Sequence, residues 1–237
     1  MTTSDLKNSI QTTDGNAQAD AQLKQAMEER HTVRKFTDQP IAPALIEKLE
    51  QRAAMVDQKY GLQIRLVTKD KALLPGVIRL FLAKNTDNAF IIAGPQGSDE
   101  LCGYASADLM LYAQSLGLNT WYIGGTYSRK EAEKDADGAH VVGIIVVGYG
   151  QNQGTPHKSK TPDEVSRYEG DEPEWFKNGV KAALLAPTAL NKQAFFLNGK
   201  GNEVSIQCNN GIFTDVDTGL VKYHFELGAG KNHFKWK

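Results

Sequence analysis

A chain of 237 residues is long enough for one large core or two smaller ones, and 41% hydrophobic with 23% charged residues excludes wholesale disorder and fibrous repeats. A formal net charge of −1 supplies no global field that would draw the protein onto nucleic acid or anionic lipid, so any basic site has to be local. Two cysteines, Cys102 and Cys208, with no histidine pair beside them, point to free thiols in a reducing compartment rather than a disulfide framework or a structural zinc site.

Residues 1–20 are rich in Thr, Asp, Asn and Gln and read as a flexible N-terminal arm. They lack the apolar stretch of a signal peptide, and no run in the chain approaches the roughly 18 apolar residues that span a bilayer. A soluble cytoplasmic protein with no membrane and no nucleic-acid partner is expected. Asp20 is placed to cap a helix with Leu23, Ala26 and Met27 on its apolar face, weakening at the β-branched pair Thr32 and Val33. Pro43 suits the first residue of a second helix, with Leu45, Ile46, Leu49 and Ala53 inward. Leu62 to Thr68 alternates in strand fashion, and Ala89 to Ala93 is a short, fully apolar strand.

Ser98 to Leu116 has the period of a helix, with Leu101, Ala105, Leu109, Tyr112 and Leu116 on one stripe and Gly117 as its stop. Ala107, Leu111 and Ala113 make it apolar nearly all round, which predicts a central, buried helix. Trp121 to Gly125 is a short segment ending in paired glycines. His140 to Val147 is apolar on both faces and therefore a central strand. Residues 150–162, polar with Gly and Pro, form the best internal boundary. Beyond it, Pro173 opens a helix carrying Trp175, Phe176, Val180, Ala183 and Leu184, which ends at Pro187. Ala194 to Leu197 and Glu203 to Cys208 read as a hairpin around Asn198-Gly199-Lys200-Gly201. A last helix near Thr218 to Leu227 has Leu220, Tyr223, His224 and Leu227 in step. Helices and strands mix without clean βαβ alternation, so the fold class is α+β.

Four segments carry chemistry. In Arg30-His31-Thr32-Val33-Arg34-Lys35-Phe36, two arginines four apart with a hydroxyl between them suit a small anion such as a phosphate; read alone, the run is more readily a solvated basic helix end, as short basic runs usually are. Ala186 to Gln193 is a small-residue turn beside which a flat ligand can lie, with Asn191 and Gln193 as amide donors and acceptors, or a plain helix-to-strand connection. Gly124-Gly125 permits close backbone approach or marks a bend. His157-Lys158-Ser159-Lys160 can close over a phosphate or simply be solvated. Gly148-Tyr149-Gly150 misses the Rossmann spacing, Gly228-Ala229-Gly230-Lys231 lacks the Ser/Thr of a P-loop, and His224 on an apolar face reads as a satisfied core residue.

Together these pieces resemble the FMN-dependent nitroreductase family. Arg30, Thr32, Arg34 and Phe36 fill its Arg-x-Ser/Thr-x-Arg-x-Phe signature, and Pro187, Thr188, Asn191 and Gln193 its Pro-Ser-x-x-Asn-x-Gln turn. Gly117 to Gly125 is similar to its Gly-Leu-Gly-Thr-x-Trp-Ile-Gly-Gly segment. Lys158-Ser159-Lys160 is similar to a basic element that follows a strand ending in Gly-Tyr. One departure is that the Pro-Thr-x-x-Asn turn follows the linker instead of the arginine motif. The family builds each site from two subunits, so the resemblance implies a fused, degenerate pseudo-dimer with one site between its halves. Its parts would be an arm at 1–20, a first half at 21–160 and a smaller second half at 161–237, and the chain would be able to act as a monomer.

Carried over by residue, the resemblance implies that Arg30, Lys158 and Lys160 hold the FMN phosphate, with Thr32 and the His31 backbone at phosphate and ribityl. Arg34 would sit by the pyrimidine edge, Pro187, Thr188, Ala189 and Asn191 at the far edge of the ring, and the Gly124 and Gly125 amides near N5. Hydride enters and leaves through the flavin, so no catalytic side chain and no metal is demanded. The implied activity is transfer of hydride from NAD(P)H to a small aromatic, nitro or quinone-like acceptor. The alternative is an FMN-binding protein without efficient turnover, serving as a carrier, a sensor or a degenerate scaffold.

Overall fold

The strongest apolar runs become the inner strands of a sheet. The computed structural model describes residues 18–209 and 211–237. Strand β1 (Gln63–Val67), β2 (Ala89–Gly94), β3 (Asn119–Ile123) and β4 (His140–Gly148) form a four-stranded antiparallel sheet in the order β1-β2-β4-β3. Every residue of β2 is buried, and so is all of β4 after its first. Burial on both faces is what their continuous apolar runs require. One face, with Ile64, Phe90, Ile92, Ile145 and Val147, meets helices α1 (residues 18–29), α2 (Pro43–Tyr60) and α4 (Asp99–Ser115). The other, with Ile91, Trp121, Ile123, Ile144 and Val146, is covered by Val33, Phe36, the 73–83 segment with α3 (Gly76–Phe81), and α5 (Arg129–Lys134).

Helix α2 begins on Pro43 and stops at Gly61, whose φ of 65° supplies the left-handed cap. Helix α4 is buried on all sides from Cys102 to Ala113, apart from Tyr104 and Tyr112, which are half-buried. Leu101, assigned from its period to the inward stripe, is exposed instead; it sits in the first turn, before the helix enters the core. Asp20 lies inside α1 and does not cap it, because the helix already includes residue 18. Residues 1–17 of the expected arm lie outside the described residues.

After the linker come α6 (Pro162–Val165), β5 (Ser166–Glu169), α7 (Glu174–Ala183), β6 (Phe195–Lys200), β7 (Glu203–Cys208), α8 (Thr214–Ala229) and β8 (Lys235–Trp236). The four strands form a second sheet, β5-β6-β7-β8, with parallel outer pairs around the antiparallel β6–β7 hairpin. The hairpin turn is Gly201-Asn202, not the earlier Asn198–Gly201 run. Gly199 is a strand residue paired with Val204 and Tyr168, and a Cβ there would lie 2.4 Å from the Tyr168 ring and 2.7 Å from Phe176. Helix α8 starts at Thr214, four residues earlier than its apolar period begins.

The first sheet and the C-terminal part are joined by helices at unusually close range. A Cβ on Gly219 of α8 would stand 1.9 Å from the Glu100 carbonyl oxygen of α4, and one on Gly103 of α4 would stand 2.1 Å from the Val216 carbonyl oxygen. On the far side of α8, a Cβ on Gly228 would meet Ala182 of α7 at 2.4 Å. Across the α4–α8 contact Asp108 accepts two hydrogen bonds from Arg52, at 2.6 and 2.7 Å, and one from the Tyr223 hydroxyl at 3.0 Å.

Gly219→Ala is expected to lower the stability of the whole protein by about 2–4 kcal/mol, since the intruding methyl meets backbone and only a shift of α8 relieves it. Chemical denaturation followed by circular dichroism measures this; an unchanged midpoint refutes the close-contact account.

Candidate cofactor site

Helix α1 makes its last helical hydrogen bond from the Arg30 N–H to the Ala26 carbonyl, at 2.9 Å. The chain then runs extended, and the Val33 N–H donates to the Thr120 carbonyl at 3.1 Å, laying residues 32 and 33 along the free edge of β3 before Lys35 and Phe36 bridge to Lys84 and Gly150. Successive side chains of an extended segment point to opposite sides. Val33 thus enters the core between Thr32 and Arg34, which face a cleft, and Phe36 enters the core beyond the β3 pairing. Arg30 is therefore not part of a solvated helix end, being only 5% exposed, whereas Arg34 and Lys35 are exposed.

This cleft has a volume of about 710 Å³, within the range of roughly 300–1,000 Å³ that small-molecule sites occupy. One wall is the basic segment, Arg30, His31, Thr32 and Arg34, with Trp121 to Thr126 at the end of β3. The Arg34 guanidinium lies 5.4 Å from the centre of the Trp121 ring. The opposite wall is the turn Pro187 to Asn191 with Phe213 and Asp217, and Thr155, Pro156 and His157 of the linker close one side. The structure thus brings every site residue expected from the sequence to one cavity except Lys158 and Lys160.

Those two lysines are positioned otherwise. Lys158 is exposed, and the Lys160 ammonium donates to the Gln193 carbonyl at 2.8 Å. The reason is Gln193, which is 1% exposed and ties the linker to the turn. Its side-chain amide donates to the Leu184 carbonyl and the Ser159 hydroxyl, both at 2.8 Å, and its oxygen accepts the Lys160 N–H at 2.7 Å. Its own N–H donates to the Thr188 hydroxyl at 3.0 Å. Asn191 donates its amide to the Lys158 carbonyl at 2.7 Å. Gln193 therefore binds the linker and takes no part in lining the cleft, and the Asn191 amide N–H is likewise engaged. Leu190, Asn191 and Gln193 all have positive φ, near 50°, a conformation that costs a Leu roughly 1–2 kcal/mol and that the bonds to the linker hold in place.

The cleft wall holds a deeply buried cation. Burial pushes the Arg30 guanidinium down to about 10, and its Nη1 has no hydrogen-bond partner among the described residues. His224 of α8 is also fully buried: Nδ1 is paired with the Leu220 carbonyl at 2.8 Å, Nε2 has no partner, and burial pushes its pKa down to about 3, so it is neutral. It is a core residue with one nitrogen unsatisfied. The Phe213 ring stands against the backbone of Gly124, where a Cβ would meet it at 2.6 Å. Phe213, Asp217, Thr155 and Pro156 carried no motif, whereas His157 opens a basic segment singled out in the sequence. Both cysteines are free thiols, and among the described residues no cluster of His, Cys, Asp or Glu is arranged for a metal.

Comparison with known proteins bears on the family and the fold. A family model described as "Putative TM nitroreductase" matches residues 22–229. A crystal structure described as a "putative nitroreductase" from Thermotoga maritima is 20% identical, with a TM-score of 0.62 over 89% of this chain and 84% of that one. A nitroreductase-like protein from Streptococcus mutans (15% identical, TM-score 0.49) is covered over 94% of its length by 59% of this chain. An FMN-dependent nitroreductase from Clostridium difficile (19%, TM-score 0.44) is covered over 92% by 59%. No protein of curated function matches the chain. No helix among the described residues is long and apolar enough to cross a membrane.

Gln193→Ala is expected to cost about 1–3 kcal/mol of stability, because it leaves the Lys160 N–H without its acceptor and removes one of the donors to the Leu184 carbonyl. A thermal melt measures it, and a melting temperature equal to that of the unmodified protein refutes the role of Gln193 as the tie between linker and turn.

Proposed function

Because a match over residues 22–229 makes this chain a member of the nitroreductase family, we propose that the cleft binds one FMN per chain and that the protein is an NAD(P)H-dependent flavin oxidoreductase. The observation that carries the reading is Arg30, a nearly fully buried guanidinium on the cleft wall with a nitrogen that has no partner. Burying an unpaired cation costs several kcal/mol, and an anionic ligand removes most of that cost. The donor set fits a phosphate, with Thr32 and His31 beside the arginine.

When bound, the flavin supplies the hydride chemistry itself. The chain's residues bind and orient it. Arg30 pairs with the phosphate. Arg34, on the Trp121 ring, holds a positive charge at the pyrimidine edge. Pro187, Thr188, Ala189 and Asn191 form a small-residue wall against which a flat ring lies, and the Gly124 and Gly125 backbone offers amide N–H groups. Lys158 and Lys160 are left out of the phosphate site in this reading, and the linker contributes Thr155 and His157 in their place. The acceptor is a small aromatic, nitro or quinone-like molecule, in keeping with Trp121, Phe213 and Leu190 around the cleft.

The two walls come from residues 21–160 and 161–237, and we read these as fused halves that share a single site, so that a monomer suffices. Phe213 favours a second reading, an FMN-binding protein without efficient turnover. Its ring rests on Gly124, where the resemblance places N5.

The purified protein is expected to be yellow and to release one FMN per monomer. Flavin that NADH or NADPH bleaches, with reoxidation by a nitroaromatic, supports the first reading, and flavin that neither bleaches supports the second. Arg30→Ala should weaken FMN binding by roughly 10- to 150-fold, the equivalent of a charge-assisted contact of about 1.5–3 kcal/mol. An unchanged affinity would refute the phosphate role.

A further inference from the structure

Asp217 is the one carboxyl among the described residues that line the cleft, and the flavin reading gives it no task. It stands in the first turn of α8, facing the Pro187–Asn191 turn, and its two oxygens share the Ala189 N–H at 2.9 and 3.1 Å. A carboxylate has about four acceptor positions, so one N–H leaves it under-satisfied. Burial pushes Asp217 up to about 6, against the opposing effect of the Ala189 N–H.

The groups around it do not neutralise it. The buried Tyr122 phenol of β3 and the Cys208 thiol of β7 are both held neutral by burial. On its own helix, Lys222 is paired with Glu100 at 2.5 Å, His224 is neutral, and Asp215 is exposed. Elsewhere on the cleft wall, Arg34 stacks on Trp121, His31 is held below its usual value by burial and by Arg30, and His157 bonds the Leu184 carbonyl at 3.0 Å. A flat ligand filling the cleft would displace the water that still reaches the carboxyl, and desolvation favours the neutral acid further.

We propose that Asp217 is a ligand-contacting residue that engages the occupant of the cleft as the neutral acid, donating its O–H to a carbonyl or ring-nitrogen acceptor, so that one proton is taken up from solvent as the cleft fills. The inference rests on the flavin reading. It adds to that reading a hydrogen-bond donor and a pH dependence of binding.

The test measures binding of riboflavin and of FMN to the flavin-free protein between pH 5.5 and 8.5 by fluorescence quenching. Riboflavin has no phosphate whose own ionisation would tilt the profile. Its affinity for the unmodified protein is expected to weaken above pH 6, approaching about tenfold per pH unit. Asp217→Asn keeps an acceptor for Ala189 and a permanent donor for the ligand. It should give a flat profile and bind riboflavin more tightly than the unmodified protein at pH 8, and Asp217→Ala should bind weakly throughout. Without any variant, titration calorimetry in two buffers of different ionisation enthalpy should show uptake approaching one proton per flavin near pH 7.5. Flavin binding with no proton uptake, or with the same pH profile in Asp217→Asn as in the unmodified protein, overturns the role of Asp217 and leaves the flavin reading standing. Failure of both flavins to bind at any pH overturns the two together.

Discussion

The close crossing of α4 and α8 is the contact on which the cleft depends. Helices whose contact residues carry side chains sit roughly 8–10 Å apart. Here Gly103 and Gly219 remove the Cβ atoms at the contact, and each would otherwise drive into the carbonyl oxygen of the facing helix. The α4 helix is fixed by the first sheet, so its position sets that of α8. From α8, Asp217 and Phe213 reach the end of β3, and α7, packed on α8 through Gly228 and Ala182, ends where the Pro187–Asn191 turn begins. The Arg52–Asp108–Tyr223 group adds direction to the same contact, since a slide of α8 would leave a largely buried carboxylate short of a partner.

What lines the cleft is, by the standards of a folded core, uncomfortable. Among the described residues a buried arginine nitrogen has no partner, a half-buried carboxyl accepts one N–H, and Leu190 and Asn191 adopt left-handed backbone. Each is unfavourable by an amount comparable to a good hydrogen bond. Such features persist where the surroundings over-determine them, and Gln193, with its linker and turn partners, does so here. Unpartnered buried atoms and left-handed residues occur elsewhere in the protein as well; at the cleft they fall on residues that face open space, where a bound molecule can supply the missing partner.

The similarity to the Thermotoga maritima structure spans most of both chains, so the two share one fold. Linking the two walls covalently changes the thermodynamics of assembly. In the reading proposed above, in which one chain suffices, the cleft would form on folding without an association step.

Sequence alone determined what local periodicity and local chemistry can carry. The all-apolar runs of β2 and β4, the all-round burial of α4, the Pro43 start and Gly61 stop of α2, and the residues of two cleft walls were legible because burial on both faces, caps and short motifs leave their mark on neighbouring residues. The short elements α3, α5, α6, β5 and β8 were not, since four to six residues, or two in β8, exist only through contacts with distant chain. Tertiary structure decided the direction of each polar group. A basic run reads the same whether its lysines face a phosphate or a backbone carbonyl, and only the folded position of Gln193 turns Lys160 away from the cleft and the Asn191 amide toward the linker. It likewise decided that an aspartate in the first turn of α8, unremarkable among its polar neighbours, is desolvated and faces a cavity. Hydrogen-bond partners and desolvation depend on atoms far apart in the chain, and no local pattern encodes them.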